Sequence, residues 1–312
     1  MIVTLAQFGY FVAVADVRSF TRAAELAGVA QPTLSRQLKT LEDELGAPLV
    51  NRGTPVTLTP AGEAVLPLAR RMLADADSAR TAVAEIVGLR RGNLRVGATP
   101  SLCIGVLADV LRVFHEQHPE IHLRLTENGS QPLVRELLGG ALDVALVIVP
   151  PGGLDPTLHL TPLLRERLSV ASPRSGPAPA RRGSMSIVEL SRRPLVMVRQ
   201  GYDLREVTLQ AYREAGVTPR FAVQGGEMDA MLRLVETGTG VAVVPDLIFA
   251  GRPRLRRTVL TPPLYRTVAI ARRADITPIQ SAQAFTDTLL SFLDDVAAAG
   301  GLSADVQILH RR

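Results

Sequence analysis

The sequence predicts an α/β fold in which a small all-helical domain precedes a larger domain of two α/β lobes. Apolar residues between positions 5 and 45 recur at helical spacing, and residues 61–89 carry a heptad pattern. From Gly92 onward, short apolar strands alternate with helices. The expected domains are residues 1–60, 61–90 and 91–312, with one lobe formed by about 91–162 and 265–300 and the other by about 163–264.

The composition is that of a globular protein. The chain has 312 residues, of which 46% are hydrophobic and 21% are charged, so it can form two or three domains with substantial cores. Its first residues lack a basic region ahead of an apolar run, and no stretch reaches the roughly 18 apolar residues of a membrane span. We therefore expect a cytoplasmic protein with no membrane partner.

The cysteine count and the net charge narrow the possible functions. Cys103 is the one cysteine, which excludes an intramolecular disulfide and a two-thiol redox switch. We expect Cys103 to be a small buried residue. The net charge of +5 permits an anionic partner such as nucleic acid. Residues 1–60 contain as many acidic as basic residues, so net charge alone does not assign DNA binding to them.

The segment from Gln31 to Gly46 is predicted to be an amphipathic helix. Pro32 suits the first turn, where its missing N–H costs nothing, and Gly46 suits the end of the helix. Four leucines share one narrow stripe, which we expect to face the core. They are Leu34, Leu38, Leu41 and Leu45.

The opposite face of this helix carries donors at its start and acids at its end. Arg36 and Lys39 point roughly 140 to 160° away from the leucine stripe, and Thr33 and Thr40 flank them. The acids at positions 42–44 crowd the last turn and would repel phosphate. A helix that enters the major groove of DNA by its N-terminal half needs this polarity.

A second short helix is predicted just upstream. Ser19 suits its N-cap and Gly28 its left-handed end, so the two helices and their tight turn form a helix-turn-helix. The residues expected to face the core are Ala23, Ala24 and Leu26 here, and Leu5, Phe8, Val12 and Ala15 in a first helix. The spacing alone leaves a generic helical hairpin with a solvated face as the alternative.

Residues 61–89 are predicted to form one long helix that begins after a Thr59 cap and bends at Pro67. Its apolar residues alternate at intervals of four and three, which is a heptad seam. The seam consists of Val65, Ala69, Met72, Ala76, Ala79, Val83 and Ile86. We expect a homodimer through this helix, and packing on the chain's own domain is the alternative.

The remaining two-thirds of the chain predict a mostly parallel sheet covered by helices. Strands are expected at residues 94–98, 121–127, 143–149, 168–173, 194–198, 220–224, 241–245 and 265–271. Helices are expected at 104–118, 132–138, 204–215, 228–237 and 279–296, and a surface loop at 173–184. Two lobes joined by two crossings enclose a cleft.

Residues 7–62 resemble the DNA-binding domain of the LysR-type transcriptional regulators nearly position for position. The segments SFTRAAE, VAQPTLSRQLKTLE and LTPAG carry the resemblance. It implies a winged helix-turn-helix whose DNA-facing residues are Arg22, Gln31, Pro32, Thr33, Ser35, Arg36, Lys39 and Arg52. Val50 replaces the usual Phe, and the wing is about a residue short and lacks a basic tip, which leaves wing contacts with DNA open.

The region from Gly92 to about residue 297 also resembles a known domain, the LysR effector domain. That domain has the two-lobed fold of periplasmic solute-binding proteins. In open α/β sheets, ligands bind beyond the carboxyl ends of the strands. This rule nominates Thr99, Pro100, Ser101, Gly129, Ser130, Ile148, Val149, Tyr202, Arg205, Glu227 and Met228, with Asn128, Gln200, Gly201 and Gln224 beside them. Hydroxyls and helix N-terminal amides there would suit a carboxylate or another small anion. Arg205 would add a bidentate contact unless Glu227 pairs with it.

An enzyme is the competing hypothesis for a two-lobed cleft. His115, His118 and His122 are close in sequence but belong to different elements, which is a poor metal arrangement. No HExxH, GxSxG, Walker A or complete dinucleotide motif is present. A stand-alone solute-binding protein would need an export signal and would not carry a helix-turn-helix.

We therefore expect a DNA-binding transcriptional regulator controlled by a small-molecule effector, and not an enzyme. Its expected partners are double-stranded DNA, the effector and further copies of the chain, as a homodimer or a homotetramer. No cofactor or metal is expected. The sequence leaves open the effector, the operator, the target genes and the direction of regulation.

Overall fold

The computed structural model describes residues 3–86, 92–180, 183–303 and 305–310. The chain forms two compact units, residues 1–89 with 136–141 and residues 90–135 with 142–312. Among the described helices, none is long and apolar enough to cross a membrane. The predicted helix end at residue 89, the domain boundary at 90 and 91, and residues 181–182 of the predicted loop lie outside the described residues.

The N-terminal unit consists of helices and a small two-stranded antiparallel wing. Its elements are α1 (Leu5–Val17), α2 (Phe20–Leu26), α3 (Gln31–Leu45), β1 (Val50–Asn51), β2 (Thr57–Leu58) and α4 (Pro60–Ile86). Ser19 caps α2, as predicted, because its hydroxyl accepts the Arg22 N–H at 3.4 Å. Gly28 and Gly46 follow α2 and α3 with φ of +66° and +74°, which is the left-handed conformation that ends a helix.

The core of this unit uses a face of α1 that is rotated from the predicted one and shares only Phe8 with it among its buried residues. Leu34, Leu38 and Leu41 of α3 are buried as expected, but they meet Phe8, Phe11 and Val14 of α1. The predictions for Leu5, Leu26 and Leu45 are wrong, since these side chains are 45%, 73% and 37% exposed, and Val12 and Ala15 are only half-buried. The aromatic rings set the inward face because they bury the most apolar area, and α2 packs through its small alanines.

Helix α4 begins at the predicted cap and continues across Pro67. The Gly62 N–H donates to Thr59 Oγ1 at 3.0 Å, which confirms the capping role of Thr59. Along the heptad seam, Ala69 is buried, whereas Met72, Ala79 and Val83 are exposed. The side chain of Ile86 lies outside the described residues. In the described part of the chain, the seam is therefore core near its start and surface farther along.

The C-terminal unit alternates strands and helices. Its elements are β3 (Gly92–Ala98), α5 (Pro100–Leu102), a π-helical segment (Cys103–Leu107), α6 (Ala108–Gln117), β4 (Ile121–Glu127), α7 (Ser130–Leu138), β5 (Val144–Val149), β6 (Leu158–Pro173), β7 (Ser184–Met185), α8 (Ile187–Leu190), β8 (Pro194–Val198), α9 (Asp203–Glu214), β9 (Arg220–Gly226), α10 (Met228–Glu236), β10 (Ala242–Pro245), a 3₁₀-helix (Asp246–Gly251), β11 (Leu255–Arg273), α11 (Gln280–Ala298) and β12 (Val306–Ile308). The helix predicted to start at residue 104 thus starts at Pro100.

The main sheet is mixed rather than mostly parallel, so that expectation is wrong. Its strand order is β10-β6-β11-β5-β3-β4. β3 is parallel to β4 and β5, whereas β11 is antiparallel to β5 and β6. The physical reason is that β6 and β11 carry the chain between the lobes in opposite directions. Short strands that were not predicted complete the sheet: β12 pairs with β6 and β7 pairs with β11.

Two hydrophobic cores define two lobes. Lobe I has the core that contains β3, β5, α6 and α11, and lobe II has the core that contains β8, β10, α9 and α10. The long strands β6 and β11 contribute to both, since Leu164 and Val268 lie in the first core and Val170 and Leu260 in the second. These two strands are the two crossings between the lobes.

Candidate DNA-binding surface and effector cleft

The exposed face of α3 borders an open groove of about 500 Å³. It is lined by Gln31, Pro32, Ser35, Arg36, Lys39, Thr40, Asp43 and Arg52. Most of the predicted DNA-facing residues thus share one surface. Thr33 and Arg22 are exposed on α3 and α2 but do not line this groove.

Arg36 and Lys39 both project from this surface, but their partners differ. The Arg36 side chain is exposed, and it makes no hydrogen bond or ion pair with another described residue. Lys39 Nζ lies 2.9 Å from Asp43 Oδ1, and both side chains are well exposed. Exposed pairs of this kind contribute little free energy, so Lys39 remains available to another anion.

The sequence predicted that Glu42 is one of three exposed acids at the end of α3, and for Glu42 this prediction is wrong. Its side chain is buried, and Oε1 accepts the N–H groups of Leu49 at 2.8 Å and Val50 at 3.2 Å. These amides lead into β1, the first strand of the wing. Glu42 therefore holds the wing against α3. Its carboxylate is buried, so water cannot take the place of the two amide donors.

Arg52 joins the wing to α3 from the other side. Its guanidinium donates to Glu42 Oε2 and to Ser35 Oγ, each at 3.3 Å, and lies 5.4 Å from the ring centroid of Phe20. The side chain is still 45% exposed. Arg52 and Ser35, two predicted DNA contacts, thus contact each other and remain accessible.

The lobe I side of the cleft is built at the ends of β3, β4 and β5. Thr99, Ser101 and Ser130 are almost fully buried. The Ile148 N–H donates to Ser130 Oγ at 2.9 Å, which ties the start of α7 to the end of β5. Thr99 Oγ1 is buried and has no hydrogen-bond partner among the described residues. Pro100 and Gly129 are also buried, and Val149 is half-buried.

Ser101 is held by a buried ion pair that sequence reasoning missed. Its hydroxyl accepts from Arg266 Nη1 at 2.7 Å, and Arg266 Nε and Nη2 donate to Glu166 Oε1 at 2.9 and 2.7 Å. Glu166 Oε2 accepts the Leu247 N–H at 3.1 Å. Because Glu166 lies on β6 and Arg266 on β11, this pair sits on the two crossing strands. The sequence signal that could have identified this pair is one charged residue on each crossing strand at a position that faces inward.

The lobe II side of the cleft holds a second polar cluster. Tyr202 Oη donates to Glu227, Arg199 Nε donates to Glu227 Oε1 at 2.8 Å, and the Arg199 guanidinium lies 4.2 Å above the Tyr202 ring. The hydrogen bond from Tyr202, together with Arg199, lowers the pKa of Glu227. Burial and the bond to Glu227 raise the pKa of Tyr202 to about 12. Arg199 was not among the predicted residues.

Arg205 does not pair with Glu227. Its Nη1 donates to the Val198 carbonyl at 2.9 Å and its Nη2 to Gln224 Oε1 at 3.0 Å. Both partners are uncharged, so the positive charge of Arg205 is not neutralised by Glu227. Met228 is buried in the lobe II core.

The two lobes touch at the predicted site. Asp203, which was not predicted, accepts the Ser130 N–H at 3.0 Å and the Ser130 hydroxyl at 2.8 Å, both on Oδ2. Beside it, a Cβ added to Gly129 would lie 1.8 Å from the carbonyl oxygen of Gly201. The structure thus brings Gly129, Ser130 and Ile148 of lobe I together with Gly201 and Asp203 of lobe II.

The described residues include no group of three or more His, Cys, Asp and Glu side chains that could hold a metal ion. His118 packs against Phe114, with ring centroids 4.8 Å apart. Cys103 is partly buried against the lobe I core. Burial, with a smaller effect of Glu127, raises the pKa of its thiol to about 12.

Two family models match the chain. The model described as "Bacterial regulatory helix-turn-helix protein, lysR family" matches residues 5–63, and the model described as "LysR substrate binding domain" matches residues 88–294. The first match lies in the N-terminal unit, and the second covers most of the C-terminal unit.

Similar proteins and structures agree with these matches. A "Probable hydrogen peroxide-inducible genes activator" from Mycobacterium avium is 34% identical over 81% of this chain and 82% of the relative. A "Probable nitrogen assimilation transcriptional activator" from Synechococcus elongatus is 32% identical over 80% and 81%. The structure of a full-length OxyR variant from Pseudomonas aeruginosa has a TM-score of 0.70 and 27% identity, over 94% of this chain and 95% of the other. Full-length CbnR in complex with its target DNA has a TM-score of 0.64 and 26% identity, over 93% and 99%.

Proposed function

Because this chain belongs to the LysR family of transcriptional regulators, we propose that it reads its operator with the N-terminal half of α3 and responds to a small anion bound between its lobes. Members of this family are DNA-binding regulators with an effector-binding domain, and this chain is one of them rather than an enzyme. The observation that carries the proposal is the exposed groove along α3. Arg36 in this groove pairs with none of the described residues and is free to donate hydrogen bonds, and buried Glu42 holds the wing beside it.

Arg36 is the base-reading residue in this proposal. Its guanidinium is exposed and uncommitted among the described side chains, and it can form the bidentate contact with guanine that dominates direct readout in the major groove. The residues that would contact DNA around it are Arg22, Gln31, Pro32, Thr33, Ser35, Lys39 and Arg52.

The experiment for this part is Arg36→Ala, with binding measured by fluorescence anisotropy on an operator obtained by selection from random DNA. If Arg36 reads a base, the variant loses about 1 to 3 kcal/mol of binding free energy and its preference at one operator position. Arg112→Ala, which removes an exposed arginine of α6, is the control and should bind like wild type. Equal weakening on every sequence would make Arg36 a phosphate contact instead.

The proposed assembly is a homodimer through α4, with pairing of dimers into a tetramer as a further step. Leu68, Met72 and Val83 expose large apolar side chains on this helix, which is the kind of surface that a second helix covers. Two copies double the DNA sequence that is read, and they would contact half-sites roughly 34 Å apart or a multiple of it.

The proposed effector is a carboxylate or another small anion. At the start of α7, the Ser130 N–H and hydroxyl already bind a carboxylate, that of Asp203. Thr99 Oγ1 is a buried hydroxyl with no partner among the described residues, and Arg205 keeps a positive charge that Glu227 does not neutralise. Binding would shift the balance between open and closed lobes and, through it, the DNA contacts of the oligomer.

The matching experiment is Thr99→Val, with binding of a panel of small carboxylates measured by calorimetry. Valine keeps the shape of threonine but removes the hydroxyl, so an anion that uses Oγ1 should bind several-fold more weakly. The stability of the protein should not fall, because the hydroxyl has no partner to lose. Unchanged affinity for the tightest carboxylate would remove Thr99 from the site.

We propose that this regulator does not sense its signal by oxidation of a thiol. One relative is described as a probable hydrogen peroxide-inducible activator. The chain has a single cysteine. The pKa of that thiol is raised to about 12, so Cys103 holds very little of the reactive thiolate near neutral pH.

A further inference from the structure

The contact between the lobes at Ser130 and Asp203 combines three features. One carboxylate oxygen of Asp203 accepts two hydrogen bonds from a single residue of the other lobe. The Ser130 hydroxyl donates to Asp203 while it accepts from the Ile148 N–H, so its orientation is fixed from both sides. Ser130 is only 1% exposed, so water does not readily replace either bond.

The Asp203 carboxylate lies at the starts of two helices. Asp203 is the first residue of α9, and the amide that it accepts belongs to Ser130, the first residue of α7. Each helix start presents unpaired N–H groups and the positive end of a helix dipole. The aspartate at the start of a lobe II helix thus accepts the N–H and the hydroxyl at the start of a lobe I helix.

Backbone sterics allow the contact only with glycine at position 129. The Gly201 carbonyl oxygen fills the space where a Cβ of residue 129 would lie, at 1.8 Å. Any larger residue there must push the two loops apart. The close approach and the hydrogen bonds therefore form one unit.

The two crossing strands are irregularly paired where they connect the lobes. β6 and β11 pair with each other, and their register shifts between Val259 and Leu264 and again between Val268 and Ala269. Such irregularities are sites where a sheet bends. The Ser130–Asp203 contact joins loops that lie outside this strand pair.

We propose that the Ser130–Asp203 contact is a latch that holds the lobes together without an effector and sets how readily the cleft opens. Gly129 is the residue whose small size lets the latch close. The latch acts whatever the chemistry of the effector, so its test uses the full-length protein with no ligand.

The test measures the distance between nitroxide labels on the two lobes by double electron–electron resonance. Labels are attached at Arg124→Cys on β4 and Arg220→Cys on β9, both exposed positions, in a Cys103→Ser background. Asp203→Ala removes the acceptor of the latch, and Gly129→Ala wedges the loops apart. Each variant should show a second population at longer distance, and adding Ser130→Ala to Asp203→Ala should change it little further.

Two matched variants control for the chemistry of these changes. Asp155 accepts the N–H and the hydroxyl of Thr157 within one exposed loop, so Asp155→Ala removes the same pair of bonds without touching the cleft. Gly152 has no atom within 4 Å of an added Cβ, so Gly152→Ala adds a methyl group without a clash. Both should match the wild-type distance distribution.

The proposal is overturned if folded Asp203→Ala and Gly129→Ala proteins keep the wild-type distance distribution. Folding is checked by circular dichroism. If Asp203→Ala does not fold, Asp203→Leu takes its place, because leucine keeps about the size of the side chain but has no oxygen to accept either hydrogen bond. A wild-type distribution in Asp203→Leu would then also contradict the latch.

Discussion

The groove along α3 and the cleft between the lobes both display arginines, but they use them in opposite ways. Arg36 is exposed, with no partner among the described side chains, whereas Arg266 is buried and directs three nitrogens to Glu166 and Ser101. DNA is a large polyanion that arrives from solvent, so free donors can meet it directly. Arg266 and Glu166 are buried away from water, so these charged groups need partners within the protein.

Because of this difference, we expect substitutions in the groove to change the affinity for DNA and substitutions in the cleft to change the stability of the fold. Removal of a side chain from the groove should weaken DNA binding and leave folding intact. Removal of a side chain that is hydrogen-bonded in the cleft should destabilise the protein or shift the lobes.

The largest effect is expected for Arg266→Ala. It leaves the carboxylate of Glu166, which is fully buried, without its charged partner. Loss of one partner of a buried ion pair costs about 3 to 5 kcal/mol of unfolding free energy. Urea unfolding followed by circular dichroism measures it.

Arg112→Ala is the control for this change. It removes an arginine from an exposed pair with Glu116, so it should cost only about 0 to 1 kcal/mol. If the two variants lost equal unfolding free energy, the buried arginine would stabilise the protein no more than the exposed one, and the prediction would be contradicted.

A smaller effect is expected for Glu42→Ala, which removes the buried carboxylate that holds the wing. The variant removes the acceptor for the Leu49 and Val50 amides, and hydrogen bonds to a charged group contribute about 1.5 to 3 kcal/mol in all. Hydrogen exchange should rise at residues 49–58, and DNA binding should weaken because the wing is no longer fixed.

The matched control is Glu44→Ala, since Glu44 is an exposed acid near the same helix end. It should leave exchange in the wing unchanged. If Glu44→Ala loosens the wing as much as Glu42→Ala does, general charge at the end of α3, and not the buried anchor, holds the wing.

The smallest effect concerns the chemistry of Cys103 and involves no loss of stability. Because burial raises the pKa of this thiol to about 12, the neutral form persists as pH rises and the thiolate appears only at high pH. The rate of alkylation by iodoacetamide should therefore keep rising through pH 10. An exposed cysteine introduced by Arg124→Cys in a Cys103→Ser background should level off near its ordinary pKa of about 8.5. A plateau for Cys103 at that same pH would contradict the assignment.

Local patterns in the sequence were sufficient for the elements but not for their partners. The leucine stripe of α3, the caps at Ser19 and Thr59, and strands such as β4 and β8 follow from residues a few positions apart. The long strands β6 and β11 were predicted only in part, because charged residues such as Arg165 and Arg167 interrupt the apolar pattern.

Most of the missed residues of the candidate site contact partners that are far away in the sequence. Ser130 and Asp203 are 73 residues apart, and Glu166 and Arg266 are 100 residues apart. No spacing rule relates such pairs, since their contact depends on how the lobes close. Glu42 was misread for a related reason, because its position near two other acids suggested solvent while its partners lie beyond the end of the helix.

The last described strand has a consequence for how copies of the protein meet. β12 pairs with residues 164–166 of β6, and Asp305 just before it contacts Arg167 at 3.0 Å and also pairs with Arg257. These residues lie beyond the segment matched by the family model, which ends at 294. An uncovered strand edge offers its backbone to any neighbouring chain. The short C-terminal strand therefore closes this part of the edge of β6 to pairing with a neighbouring copy of the chain.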